Sequence, residues 1–131
     1  MPLNFENIAI TGRIFEEYSA FFDLELEDLK SKKILDCPSG ASSFVQTLKQ
    51  NGIFAKGVDI IYKFTKDEIE KQGIKTLEKI YQNTSWMDAY KMDFYKTKEN
   101  HKKHREDALK GFLKDYNLDD YIYCELSNLP F

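Results

Sequence analysis

Three short apolar runs, each closed by an acid, constrain this chain more than any other feature. They are Lys33-Ile-Leu-Asp36 running on to Cys37, Phe54-Ala-Lys-Gly-Val-Asp59 running on to Ile61, and Tyr121-Ile-Tyr-Cys-Glu125 running on to Leu126. Between them the apolar residues recur at helical spacing. Residues 44–48 form a helix after the first run, with Gly52 as its C-cap. Thr65 and Glu68 have the spacing of a capping box, followed by Ile69, Ile74, Leu77 and Ile80, with Gly73 a weak point in the middle. Residues 98–116 place Ala108, Leu109, Phe112, Leu113 and Tyr116 on one side. Ahead of the first run, residues 13–24 set Ile14, Phe15, Tyr18, Phe21 and Phe22 on one broad apolar face. Strands alternating with helices predict an α/β fold with a parallel sheet. Ligands of such sheets bind at the carboxyl ends of the strands, where Asp36, Asp59 and Glu125 fall.

The bulk properties fit one domain. A chain of 131 residues with 42% hydrophobic and 15% aromatic content can build a core. A net charge of −3 argues against a nucleic-acid binder, which carries a basic excess. The longest apolar runs are a few residues, too short for a membrane span. The start has no basic region followed by an apolar run, so the expected location is cytoplasmic. Cys37 and Cys124 are read as reduced, small buried hydrophobes.

The loop after the first run reads Pro38-Ser39-Gly40-Ala41-Ser42-Ser43. Small residues between a strand and a helix let a ligand approach the backbone. Glycines at 38, 40 and 42 would mark one nucleotide-binding pattern, and glycines at 38, 40 and 43 the dinucleotide pattern; only Gly40 is present, so both stay open, as does an ordinary turn. Asp36 would repel a pyrophosphate and suits the ammonium of an amino-acid moiety such as methionine, or it caps the loop. Asp59, 23 positions later, can accept from both ribose hydroxyls of an adenosine, and Ile60 offers an adenine face an apolar surface. That spacing serves a nicotinamide cofactor and S-adenosylmethionine equally.

Taken together, the runs 34–44, 57–62 and Glu125-Leu126-Ser-Asn-Leu-Pro-Phe131 resemble a bacterial group of class I S-adenosylmethionine-dependent methyltransferases. The resemblance extends to an aromatic and basic helical insertion with Asp93-Phe-Tyr-Lys96 and the run 105–116, and departs from the family at Pro38 and Ser42, where glycines are usual. It implies a Rossmann-like three-layer α/β/α fold whose complete form has seven strands in the order 3-2-1-4-5-7-6, of which this chain supplies three. The expected organisation is a single, C-terminally truncated domain: an N-terminal helical segment at 1–30, strand one, cofactor loop and strand two at 31–62, a helical insertion at 63–118, and strand three with its Leu-Pro-Phe tail at 119–131. The cofactor implied is S-adenosyl-L-methionine, held by Asp36, Pro38, Ser39, Gly40, Ser42, Asp59, Ile60, Glu125, Leu126 and Arg13. Glu125 would accept from the adenine amino group, the backbone N–H of Leu126 would meet the ring, and Arg13 would reach the methionine carboxylate. Arg13 also reads as a surface residue beside a core Tyr18. Methyl transfer needs no protein nucleophile, and neither a catalytic residue nor the methyl acceptor is assigned. The alternatives are a nicotinamide-binding oxidoreductase and a non-catalytic binding module of the same fold.

His101 and His104, one helical turn apart, lack a third ligand for a metal and are read with Lys102, Lys103 and Arg105 as a solvated helix face. Trp86 is read as core or cleft packing. Strand one, without a neighbour on one side, is expected to be an exposed sheet edge able to self-associate.

Overall fold

A computed structural model describes residues 7–89, 93–117 and 122–125. In chain order the elements are α1 (Phe15–Phe22), α2 (Leu26–Leu29), β1 (Lys33–Asp36), α3 (Phe44–Gln50), β2 (Phe54–Asp59), a 3-10 turn (Ile60–Lys63), α4 (Lys66–Tyr81), a second 3-10 turn (Ser85–Ala89), α5 (Lys98–Asp115) and β3 (Tyr123–Glu125). The three strands form one parallel sheet in the order β1-β2-β3. This is the α/β arrangement that the alternation of runs predicts.

The local signals act where the sequence places them. Thr65 Oγ1 accepts from the Glu68 N–H and the Glu68 side chain accepts from the Thr65 N–H, which closes the first turn of α4. Gly73, read as a weak point, faces Leu109, whose side chain would lie 3.0 Å from an added Cβ. It lets α5 approach α4 closely.

Helices cover one face of the sheet. Ile34 and Ala55 are register partners on that face, and beneath them lie Phe44, Val45, Leu48, Leu109 and Phe112. Full burial of a side chain such as Phe112 is worth about 1.5–3 kcal/mol. Tyr62, Phe112, Tyr116 and Tyr123 pack ring against ring at 5.0–5.7 Å. Tyr116 donates to the carbonyls of Tyr62 and Phe64, which ties α5 to the turn after β2. On the opposite face Leu35 and Phe54 are each 51% exposed, and the Lys33 and Lys56 ammonium groups lie over the Phe54 ring.

Phe21 and Phe22, on the apolar face of α1, are 48% and 64% exposed, in keeping with the expectation that part of the Phe15, Phe21 and Phe22 cluster lies open; α1 is held by the Phe15 and Tyr18 rings against Phe44. Cys37 is exposed rather than buried, since β1 ends one residue before it, and neither Cys37 nor Cys124 is in a disulfide. Arg105 does not belong to a solvated face: its side chain is only 10% exposed and forms an ion pair with Glu17.

What positions the carboxyl ends of β1 and β2 is a chain crossing. Residues 8–13 run across the loop 38–43. The Ala41 N–H donates to the Thr11 carbonyl, the Arg13 N–H to Ser42 Oγ, and the Ser43 N–H to the Arg13 carbonyl. Farther back, Thr76 and Gln72 of α4 hold the Ile10 N–H and the Ile8 carbonyl. Two glycines make the approach possible. A Cβ on Gly12 would sit 2.2 Å from the Ala41 carbonyl carbon, and one on Gly40, which has φ +57°, would sit 2.6 Å from the Thr11 oxygen.

Gly12→Ala is therefore expected to lower folding stability by about 1–3 kcal/mol, the cost of overpacking against rigid backbone. Urea unfolding of the two proteins measures it. A change near zero would mean that the two segments do not cross this closely.

Candidate functional site

At the carboxyl ends of β1 and β2 the crossing borders an open cavity of about 460 Å³, within the roughly 300–1,000 Å³ of small-molecule sites. Its walls come from residues 8–13, Tyr18, the loop, and the first residues after β2. Of the residues singled out in the sequence, Arg13, Pro38, Ser39, Gly40, Ser42, Asp59 and Ile60 line it. Asp36 and Glu125 lie at the same end of the sheet without lining the cavity: Asp36 pairs in register with Gly57, and Glu125 with Asp59. Leu126 and the Leu-Pro-Phe tail fall outside the described residues.

Asp59 is the most committed of these side chains. It is 9% exposed. Oδ2 accepts from the Gly40 N–H at 2.8 Å and Oδ1 from the Ile61 N–H at 3.1 Å. A carboxylate has about four lone-pair positions, so these two bonds leave acceptor capacity on both oxygens.

Asp36 accepts from Ser39 Oγ at 2.7 Å and from the Tyr18 hydroxyl at 3.1 Å. Burial raises its pKa, the two hydroxyls work against that shift, and the charge of Asp59 adds to it. Burial, with the Asp36 charge, pushes the Tyr18 phenol up to about 12, so it stays protonated as a donor. Asp36 thus meets the cavity through Tyr18 and Ser39, both on the wall, and caps the loop through a hydroxyl rather than through backbone N–H groups.

The loop uses its own backbone donors internally. The Ser39 N–H goes to the Val58 carbonyl, Gly40 to Asp59, Ala41 to Thr11 and Ser43 to Arg13. Four N–H groups that could cradle a phosphate are already taken, and two carboxylates stand beside them.

A second constellation adjoins the first. Glu17 on α1 is fully buried. Its Oε2 accepts from Arg105 Nη1 at 2.6 Å, from the Tyr95 hydroxyl and from Arg13 Nη1 at 3.3 Å, while Oε1 accepts from the Ile14 N–H. Burial alone would raise the Glu17 pKa, but the bonds from Tyr95 and Arg105 outweigh it and the carboxyl titrates below its usual range. Removing one partner of a buried pair of this kind costs about 3–5 kcal/mol, because a charge is left uncompensated. The one sequence signal for it was an acid at 17 on the same helical stripe as Ile14, Tyr18 and Phe21, an expensive place for a charge.

His101, on the next turn of α5, is not a solvated histidine either. Its Nδ1 lies 2.6 Å from the Tyr81 hydroxyl and its ring packs against Tyr95 at 4.4 Å. Burial, reinforced by the positive charge of Arg105, lowers its pKa to about 4. Among the described residues no cluster of His, Cys, Asp and Glu is placed to hold a metal, and no helix is long and apolar enough to cross a membrane.

A histidine with a lowered folded-state pKa stays neutral in the fold while the unfolded chain takes up a proton. Stability therefore rises with pH between about 4 and 6.5 and falls as acid is added across that window. The melting temperature of the wild-type chain is expected to drop over that interval, and His101→Gln to flatten the drop. Parallel profiles for the two proteins would show that His101 does not contribute.

No family model and no solved structure matches the chain. It is 37% identical over 125 residues to an uncharacterized protein of Methanocaldococcus jannaschii, an alignment that takes in 92% of this chain and 56% of that protein. The chain thus spans about half the length of this curated relative.

Proposed function

We propose that this chain is the cofactor-binding part of an S-adenosylmethionine-dependent methyltransferase with a Rossmann-like fold. The observation that carries the reading is Asp59. Its carboxylate closes β2, lies on the cavity wall, and is oriented by two backbone N–H groups with lone pairs left for vicinal hydroxyls. A ribose diol is the ligand group that such an acceptor suits best.

The donors of the loop favour this cofactor over a nicotinamide dinucleotide. A pyrophosphate needs free N–H groups and a helix N-terminus, and here residues 39, 40, 41 and 43 spend theirs on the fold. Asp36 and Asp59 would also repel it. A cofactor that joins its nucleoside to a cationic amino acid through a sulfonium suffers neither penalty. The residues present fit it. Asp59 would hold the ribose, and Ile60 would cover one adenine face. Ser39 and Ser42 would bound the sugar and amino-acid end. Tyr18, polarised by Asp36, would face the ammonium.

When bound, this cofactor supplies a methyl group on a positively charged sulfur, and its transfer needs only alignment with a nucleophile. The protein's part is to orient both ligands and exclude water. The crossing of residues 8–13 over the loop serves that role by walling the cavity on one side. Tyr18, held protonated, donates a hydrogen bond to Asp36 and accepts from the ligand side. Asp59 ties the loop to the turn after β2 through its bonds from the Gly40 and Ile61 N–H groups.

Calorimetry with S-adenosylhomocysteine and with NAD tests the reading. The thioether product is expected to bind and NAD not to. Asp59→Asn is expected to weaken binding of the product tenfold or more, about 1.4 kcal/mol, in protein whose melting curve shows it folded. NAD binding as tightly, or unchanged affinity in the variant, would overturn it.

A further inference from the structure

Beside the first cavity lies a second, of about 510 Å³, between the segment 11–13, α1, the 3-10 turn Ser85–Ala89, the residues before α5, and α5 itself. The two cavities share Thr11, Arg13 and Arg105 as lining residues. A ligand in one therefore stands next to a ligand in the other.

The lining is aromatic, and it is accessible. Seven large hydrophobic residues are exposed among the described residues, and three of them, Phe21, Trp86 and Phe94, converge on this cavity. Tyr95 and His101 complete the ring-bearing wall. The rings meet mostly edge to face or tilted. Phe94 and Tyr95 are nearly perpendicular at 5.0 Å, Trp86 and His101 at 5.6 Å, and Phe21 lies 6.1 Å from Phe94. Such a wall offers both ring faces and ring edges to a flat guest. The Trp86 indole N–H is held by the Ile80 carbonyl at 3.3 Å, so its ring is anchored.

Aromatic walls of this kind also bind quaternary ammonium groups. The charges here argue against a cation. Arg13 and Arg105 line the cavity and no carboxylate does, among the described residues. Glu17, behind the wall, is already matched by Arg105 and Tyr95. Arg13 makes only the 3.3 Å contact with that carboxylate, and its side chain is 42% exposed above the Phe21 ring. One guanidinium is left over at the mouth. His101, held neutral, adds no charge and is a hydrogen-bond partner for a polar substituent.

We infer that this second cavity is the methyl-acceptor site and that it takes a planar aromatic molecule carrying an anionic group, with the ring among Phe21, Trp86 and Phe94 and the anion toward Arg13. The assignment as acceptor rests on the methyltransferase reading above; the ligand chemistry rests on the cavity alone.

Trp86 is the only tryptophan in the chain, so its indole N–H gives a single resonance that reports on this wall. The probes are 2-naphthoate, 2-naphthyltrimethylammonium and S-adenosylhomocysteine, the first two titrated by NMR and the third by calorimetry. Naphthoate is expected to shift the indole resonance saturably and to bind at least tenfold more tightly than the ammonium compound. Phe94→Ala is expected to weaken naphthoate at least fivefold. If S-adenosylhomocysteine binds and naphthoate does not shift the indole, or the ammonium compound binds as tightly, the inference fails and the cofactor reading stands. If naphthoate binds and S-adenosylhomocysteine does not, the cofactor reading fails and takes the acceptor assignment with it.

Discussion

The passage of residues 8–13 over the loop 38–43 is the constraint on which the rest depends. Two backbone hydrogen bonds and one to the Ser42 hydroxyl join the two segments, and two glycines face the contact because nothing larger fits. The crossing determines the direction of the Gly40 N–H, which in turn holds Asp59, which holds the Ile61 N–H. It also walls the first cavity and carries Arg13 to the boundary between the two cavities. A buried strand end would otherwise leave polar groups unpaired, each at a cost of about 1–3 kcal/mol. Here the loop, the N-terminal segment and Asp59 satisfy one another.

The Glu17 cluster does for the insertion what the crossing does for the loop. It links α1 to the turn at Tyr95 and to α5 through Arg105, so elements far apart in sequence share one buried charge. Double satisfaction of the carboxylate explains why it stays ionised against its burial. The same cluster fixes the wall between the two cavities and leaves Arg13 with charge to spare.

Much of this was legible in the sequence. The three strands are marked by apolar runs ended by Asp36, Asp59 and Glu125, and α4 by the Thr65 and Glu68 box, because period and capping are local signals. The cavity wall was legible at Arg13, Ser39, Gly40, Ser42, Asp59 and Ile60, since a strand followed by small residues is a local pattern too. What was not legible depends on long-range contact. Gly40 invites a reading as a ligand-facing glycine, and its nearest demand is the Thr11 carbonyl. Gly12 has no local pattern at all. Arg105 sits in a basic run, His101 among Lys102 and Lys103, and only the arrival of Glu17 and Tyr81 from other helices distinguishes them from their neighbours. Phe21 and Phe22 match the apolar period of α1, yet α3 reaches only as far as Phe15 and Tyr18.

A nucleoside cofactor is proposed to sit beside the crossing, against Asp59. Amide hydrogen exchange of the whole chain, with and without saturating S-adenosylhomocysteine, tests it most directly. Slowed exchange is expected in residues 8–13, in the loop 38–43 and in the turn after Asp59, because a ligand there must suppress the local opening that separates the two segments. Binding with unchanged exchange in all three, or protection confined to α4 and α5, would contradict it.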